Sequence, residues 1–161
     1  MKKIAIVTLV AFVAIGASAE EKFLQLSLTP DIALQSRETT ITGLSLNIWG
    51  ENPHHAVSLG FVNGFTGESS GFSWGLVNYS EKYTGLHWGF VNYSSEAFKG
   101  VQLGTVNWAK DMRGVQWGFV NYTETLHGLQ FGLANIVKEN PWFTEFPSKL
   151  AKGFPFVNWS F

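Results

Sequence analysis

Between Gly43 and Ile136 the chain alternates. In GLHWGFVNY (Gly85 to Tyr93) one parity carries Leu86, Trp88, Phe90 and Asn92, and the other carries Gly85, His87, Gly89, Val91 and Tyr93. The same split recurs as Val101, Leu103 and Thr105 against Gln102, Gly104 and Val106. One face is bulky and apolar; the other is glycine with Ser, His or Gln. A period of two, with aromatic and β-branched residues bounded by turn residues, predicts strands. Phe23–Thr29 and the last residues of the chain read as two further strands, and Asp31–Ser36 as a candidate for another. Only Trp142 to Ala151 comes near a helical period.

The alternation is an internal repeat. Seven segments carry it: GLSLNIWGE (Gly43 to Glu51), AVSLGFVNG (Ala56 to Gly64), GFSWGLVNY (Gly71 to Tyr79), GLHWGFVNY, GVQLGTVNW (Gly100 to Trp108), GVQWGFVNY (Gly114 to Tyr122) and GLQFGLANI (Gly128 to Ile136). A partial copy, PFVNW, spans Pro155 to Trp159. The central glycines Gly60, Gly75, Gly89, Gly104, Gly118 and Gly132 are 15, 14, 15, 14 and 14 residues apart, and Asn63, Asn78, Asn92, Asn107, Asn121 and Asn135 keep that step. The first segment departs, with Asn47 at the glycine position. Polar connectors such as Ser80-Glu81-Lys82-Tyr83-Thr84 lie between copies.

Two architectures use such a repeat: an antiparallel meander closed into a barrel, and a parallel β-solenoid with coils of 14–15 residues. A straight nine-residue strand is about 30 Å long, whereas a five-residue return spans at most about 18 Å. A solenoid therefore needs the strand to break at the central glycine, and a hairpin does not. The glycine, fifth of nine, stays at mid-height when the strand direction reverses, so antiparallel neighbours would share a glycine belt. Tilted strands of this length cross a bilayer, with the apolar parity toward lipid and the Gly/Gln/His/Ser parity toward the lumen. The expected fold is all-β, a small outer-membrane-type barrel of roughly 8–10 strands, with the β-solenoid as the alternative. Three features oppose the barrel. The Asn in every copy looks like a ladder of same-direction strands. Tyr79, Tyr93, Trp108 and Tyr122 fall on the glycine parity. Nine strand candidates is an odd number, whereas bacterial barrels have even ones.

The chain's last residues, Gly153 to Phe161, alternate up to a terminal Phe and resemble the C-terminal strand of bacterial outer-membrane β-barrels, whose last residue is commonly aromatic. The G-x-Q-x-G-x-x-N core of the repeats resembles a family of bacterial surface-repeat proteins, found for example in Leptospira. That resemblance covers roughly Gly43 to Ile136. It implies a surface or envelope protein and attaches no activity to it.

The beginning of the chain sets the expected address. Met1-Lys2-Lys3 is a basic start, Ile4 to Gly16 an apolar run of 13 residues, and Ala17-Ser18-Ala19 a small-x-small cleavage site. This is the layout of a secretory signal peptide. The run spans about 20 Å as a helix, short of a ~30 Å hydrocarbon core. The expected organisation is a signal peptide at 1–19 and one repeat-built β domain at 20–161, exported to the outer membrane or cell surface. Charged residues are 14% and aromatic residues 16%, which excludes intrinsic disorder. Beyond residue 19, nine basic residues face twelve acidic ones, a net charge of −3. With no basic excess, no nucleic-acid partner is expected. The chain has no cysteine.

Candidate chemistry is sparse. His54 and His55 follow Asn52-Pro53, and adjacent residues of an extended chain point to opposite sides. His87 occupies the Gln/Ser position of its repeat and reads as a lumen-facing polar group, and His127 ends a connector. Nothing assembles the three or four ligands of a zinc site, so neither a metal nor a cofactor is expected. Glu51, Glu68, Glu81, Glu96, Asp111, Glu124 and Glu139 read as solvated connector charges, and no Gly-x-Ser-x-Gly elbow is present. The apolar stripe of Trp74, Trp88, Trp117, Phe131, Leu59 and Leu103 would face lipid in a barrel, pack the core of a solenoid or, exposed on a water-soluble protein, form a large apolar patch for a glycan or partner. Pro141 to Lys152 breaks the rhythm as a longer excursion, and such excursions often carry function. Trp142, Phe143 and Phe146, with His54 and His55, are the candidate partner contacts. The expected role is structural or interactive, without catalysis: an outer-membrane barrel or surface protein, or alternatively an exported solenoid acting as an adhesive or scaffold module. The expected partners are membrane lipid and a surface ligand or protein.

Overall fold

A computed structural model describes residues 20–161; the expected signal peptide at 1–19 lies outside the described residues. The strands are β1 (Glu21–Thr29), β2 (Ile32–Ala33), β3 (Thr40–Asn52), β4 (His55–Leu103), β5 (Val106–Trp117), β6 (Val120–Val137) and β7 (Gly153–Ser160). They form one sheet in the order β2-β1-β3-β4-β5-β6-β7. The pairs β1–β3, β3–β4, β4–β5 and β5–β6 are parallel; β1–β2 and β6–β7 are antiparallel. The fold is a β-solenoid of about six turns and not the expected barrel.

The correction has a local cause. The repeat turns at its central glycine, as at Gly104 and Gly118, instead of running straight, so the connector need not span the whole strand length. Gly104–Thr105 and Gly118–Phe119 are bends between β4, β5 and β6. Elsewhere the ladder survives the corners, and β4 continues through 49 residues. The step is 14 throughout β5–β6, from Val106↔Val120 to Trp117↔Phe131. In β4–β5 it is 15 as far as Ser94↔Ala109 and 14 from Ala97↔Asp111 onward, so the extra residue of a 15-residue coil is a bulge at Ser95–Glu96.

The interior is polar and changes parity at the corner. Gln102, Gln116, Gln130, His87 and Ser73, before the glycine, are fully buried, as are the asparagines after it, Asn63, Asn78, Asn92, Asn107 and Asn121, with Asn135 at 1% exposure. Each asparagine Nδ2 donates to the Oδ1 of the next: Asn63 to Asn78 at 3.0 Å, Asn78 to Asn92 at 2.9 Å, Asn92 to Asn107 and Asn107 to Asn121 at 2.8 Å, and Asn121 to Asn135 at 2.7 Å. The second amide proton goes to the carbonyl before the next corner, as from Asn107 to Trp117 at 3.0 Å. Asn47, at the glycine position and in register with Gly60, heads the ladder by donating to Asn63 at 2.9 Å. A shorter ladder runs the other way, Gln130 to Gln116 and Gln116 to Gln102, both at 2.8 Å. Buried amides are tolerated because each is bonded to a neighbour in its ladder and, at Asn63, Asn92, Asn107, Asn121, Gln116 and Gln130, the second proton is bonded to a backbone carbonyl. The apolar core is a single column, in which Phe65, Tyr83, Phe98, Met112 and Leu126 stack with Ala109 and Val137.

Two glycine columns make this spacing possible. A Cβ on Gly118 would stand 2.2 Å from the Gly104 carbonyl oxygen and 2.6 Å from Asn107 Nδ2. Gly114 has φ +131°, and a Cβ there would stand 2.0 Å from the Gly100 oxygen.

The ends are closed differently. β7 lies antiparallel on β6, and Asn135 Nδ2 donates to Phe154 O at 3.1 Å, which satisfies the last rung of the asparagine ladder. The C-terminal segment that resembles a barrel strand is therefore the terminal rung of the solenoid. Trp142 to Ala151 forms turns, not a helix. Phe23–Thr29 lies within β1, and of Asp31–Ser36 only Ile32–Ala33 is strand.

Candidate functional site

With amides inside, the bulky side chains on both sides of the corner are outside. This reverses the expectation that a solenoid would pack Trp74, Trp88 and Trp117 in its core: they are 53%, 53% and 65% exposed. The side chains just after the corner, Phe61, Leu76, Phe90, Phe119 and Leu133, are exposed as well. Two rows thus flank the glycine column along one edge of the solenoid. Seven rungs, from Leu46 to Phe131, make that edge about 30 Å long at the spacing of parallel strands. With a large side chain worth roughly 200 Å², the rows expose on the order of 1,000 Å². The largest apolar patch of a typical monomer is about 300–600 Å².

Between the rows lies a furrow of about 840 Å³, bordered by Trp88, Trp117, Phe119, Phe131 and Leu133, with Gly104 and Gly118 on its floor. Phe156, at φ +68° and highly exposed, stands at its β7 end. The floor offers little to a polar ligand. Trp117 O accepts from Gly104 N at 3.0 Å as well as from Asn107, and Phe131 O accepts from Gly118 N at 2.9 Å and from Asn121 at 2.8 Å.

Past the row after the corner comes a column of amphipathic rings. Tyr93 stacks on Trp108 with ring centroids 4.6 Å apart, and Trp108 on Tyr122 at 5.9 Å. Tyr79 leaves this column to cover Gly64, receives a bond from Trp49 Nε1 at 3.1 Å and donates to Glu51. Burial and the Glu51 carboxylate push its hydroxyl up to about 12. The opposite side carries one compensated run, in which Lys82 lies 3.6 Å from Glu68 and 3.7 Å from Glu96, and one basic column of Lys99, Arg113 and His127 in register.

The candidate contact residues do not converge. Trp142, Phe143 and Phe146 are exposed beside β7, where Phe143 meets Phe154 edge-on at 6.0 Å and Phe146 lies 6.3 Å from Trp159. His54 and His55 sit at the start of β4, several coils away, and point to opposite sides. His55 is exposed and bonds Ser70 Oγ at 3.0 Å, whereas His54 is buried against Phe65 and presents nothing to a partner. No three His, Asp or Glu side chains cluster as metal ligands among the described residues. The rows at the corner were visible in the sequence as one stripe; their exposure was not, because alternation does not say which parity faces in.

His87 is inside, as a polar position should be, but among rings. It lies 4.1 Å from Tyr83, 4.9 Å from Phe98 and 5.5 Å from Phe65, with neither ring nitrogen bonded. Burial lowers His87 to about 3; burial, then the nearby His55, lowers His54 to about 4. An unfolded histidine titrates near 6.5. Below that pH the unfolded chain binds protons that the folded chain does not, so stability falls as pH falls, levelling off below pH 3–4. At pH 5 each histidine is expected to cost about 2 kcal/mol. Urea unfolding of His87→Gln should show about half the wild-type difference between pH 7 and pH 5. An unchanged difference would mean that the ring is not held neutral.

No family model matches the chain, and comparison with curated proteins and with solved structures gives no match either.

Proposed function

We propose that this chain is an exported, non-catalytic interaction module of the cell surface: a β-solenoid scaffold that displays an aromatic edge to a partner. The carrying observation is the inversion of the fold, with amide ladders inside and two rows of large apolar side chains outside. A water-soluble protein rarely leaves so large an apolar patch open unless something covers it. The signal-peptide-like start at 1–19 and the resemblance of the repeat to bacterial surface-repeat proteins support the address. The scattered acids and histidines, with His54 and His87 buried away from solvent, support a role without catalysis.

The test is oxidative footprinting of tryptophan on intact cells against the purified chain. Trp74, Trp88 and Trp117 should be oxidised several-fold more slowly on cells than in the purified protein, while His55 on another side stays equally reactive. Equal reactivity of the three tryptophans in both settings would sink the reading.

A further inference from the structure

The edge has a graded profile around each coil, and the gradient identifies what covers it. At the corner stand mostly apolar side chains: Phe90 and Phe119 after the glycine, with Thr105 between them and Leu133 one coil on. The next residue is valine, as at Val91, Val106 and Val120, and two positions beyond it lie the amphipathic rings Tyr93, Trp108 and Tyr122. Beyond them come polar or charged positions, Ser95, Lys110 and Glu124. Hydrocarbon, then Tyr and Trp, then charge is the order met on passing from the acyl region of a bilayer through its interface into water.

Geometry separates this occupant from a second copy of the chain. The apolar surface is two rows on either side of the glycine furrow, Trp74, Trp88 and Trp117 on one side and Phe61, Phe90 and Phe119 on the other. A rigid second copy would have to match both rows and the furrow in register along the edge; a fluid phase closes on all of them without a register. The chemistry of the furrow agrees, since the floor carbonyls at Trp117 and Phe131 are already doubly bonded by backbone and asparagine. An extended peptide or a glycan would find few free polar partners there, and an acyl chain needs none. Charge then sets the class of lipid. A basic column of Lys99, Arg113 and His127 stands four residues before the Leu103, Trp117 and Phe131 row, Lys82 is shared between Glu68 and Glu96, and the net charge beyond residue 19 is −3. The net negative charge offsets that column, so binding is expected without anionic headgroups.

We propose that the Trp-Gly-Phe corner inserts edge-on into the surface of a zwitterionic phospholipid bilayer, with Tyr93, Trp108 and Tyr122 at headgroup level. The solenoid lies on the membrane and does not span it, so its interior remains a packed amide core. This rests on the interaction-module reading and names its partner.

The purified chain is mixed with phosphatidylcholine vesicles and floated on a density gradient at low and high salt, with its oligomeric state measured without lipid. Co-flotation unaffected by salt is expected, together with quenching of tryptophan fluorescence by phosphatidylcholine brominated along its acyl chains. The double replacement Phe90→Ser and Phe119→Ser, at exposed positions outside the core, should retain the wild-type circular dichroism and lower partitioning by about tenfold or more. Lys82→Gln on the opposite side should float like the wild type. The proposal is overturned by a chain that stays out of the lipid fraction, by binding that needs anionic lipid and vanishes at high salt, or by a lipid-free dimer that already buries both rows. Tryptophans protected on cells without flotation would remove the bilayer and leave the interaction module standing. Flotation with tryptophans unprotected on cells would do the reverse.

Discussion

Asn107→Ala is expected to destabilise the solenoid by about 3–6 kcal/mol in urea unfolding. Asn107 is in the middle of the ladder, accepting from Asn92 and donating to Asn121 and to Trp117 O. Its removal leaves an N–H of Asn92 and an acceptor of Asn121 without their partner in a fully buried row, and takes one bond from Trp117 O. Each buried orphan costs about 1–3 kcal/mol, and a domain of this size holds only about 5–15 kcal/mol in all. Asn47→Ala supplies the contrast. Asn47 heads the ladder, its own Oδ1 accepts nothing, and Asn63 Oδ1 keeps a bond from Ser58 at 3.0 Å. Its loss should cost about 1–2 kcal/mol. Equal costs at the two positions would show that the ladder contributes as isolated amides and not as a chain.

Gly114→Ala is expected to be worse than its single added methyl suggests, at least about 3 kcal/mol. Two penalties coincide. At φ +131° an L side chain is strained, and its Cβ would lie 2.0 Å from a backbone oxygen, that of Gly100, with 3.0 Å to the Gly100 carbonyl carbon. Backbone cannot step aside as a flexible side chain can, so the rungs would have to separate and break their ladder bonds. Gly67 also has positive φ, +59°, but a Cβ there meets nothing within 4 Å. Gly67→Ala should therefore cost only about 1–2 kcal/mol, the left-handed backbone penalty alone. Thermal unfolding of the two variants separates the contributions. If Gly114→Ala melts no lower than Gly67→Ala, close packing of the rungs is not what the glycine column provides.

Much of this fold was legible in the residues. The 14–15-residue step marked the coil, the asparagine at one position of every copy marked same-direction stacking, and Asn47 at a glycine position marked a different first rung. Tyr93, Trp108 and Tyr122 on the glycine parity also opposed the barrel, and they stack along the solenoid axis. The barrel expectation came from treating nine alternating residues as straight. Bending at a glycine is a property of φ and ψ that alternation does not record. The second misreading concerned sidedness. Burial of apolar groups is the ordinary rule, and it assigns Trp88 and Trp117 to the core or to lipid. Nothing in a single copy reveals that Asn92 and Gln102 can be buried more favourably, because their partners lie one coil away and exist only once the coils have stacked. For the same reason His54 looked available next to His55, although the chain turns it inward onto Phe65.

The parallel register has a consequence for how the molecule is built over time. Sheets whose strands seek distant partners fold slowly, because long loops must close before any contact rewards them. Here β6 finds its partner in β5 only 14 residues earlier, β5 pairs with β4 over 14–15 residues and β4 with β3 over 13; the first closure, β1 with β3, is longer at 19–20. The entropy of closure is thus met in small instalments, and each finished coil is the template for the next. Such a chain can assemble in the order in which it is delivered, adding one rung at a time from β1 and β3 onward. Growth has no natural stop in this scheme, since each rung ends in amides waiting for another. β7 supplies the stop: arriving last and in the opposite direction, it takes the final Asn135 donor and terminates the register.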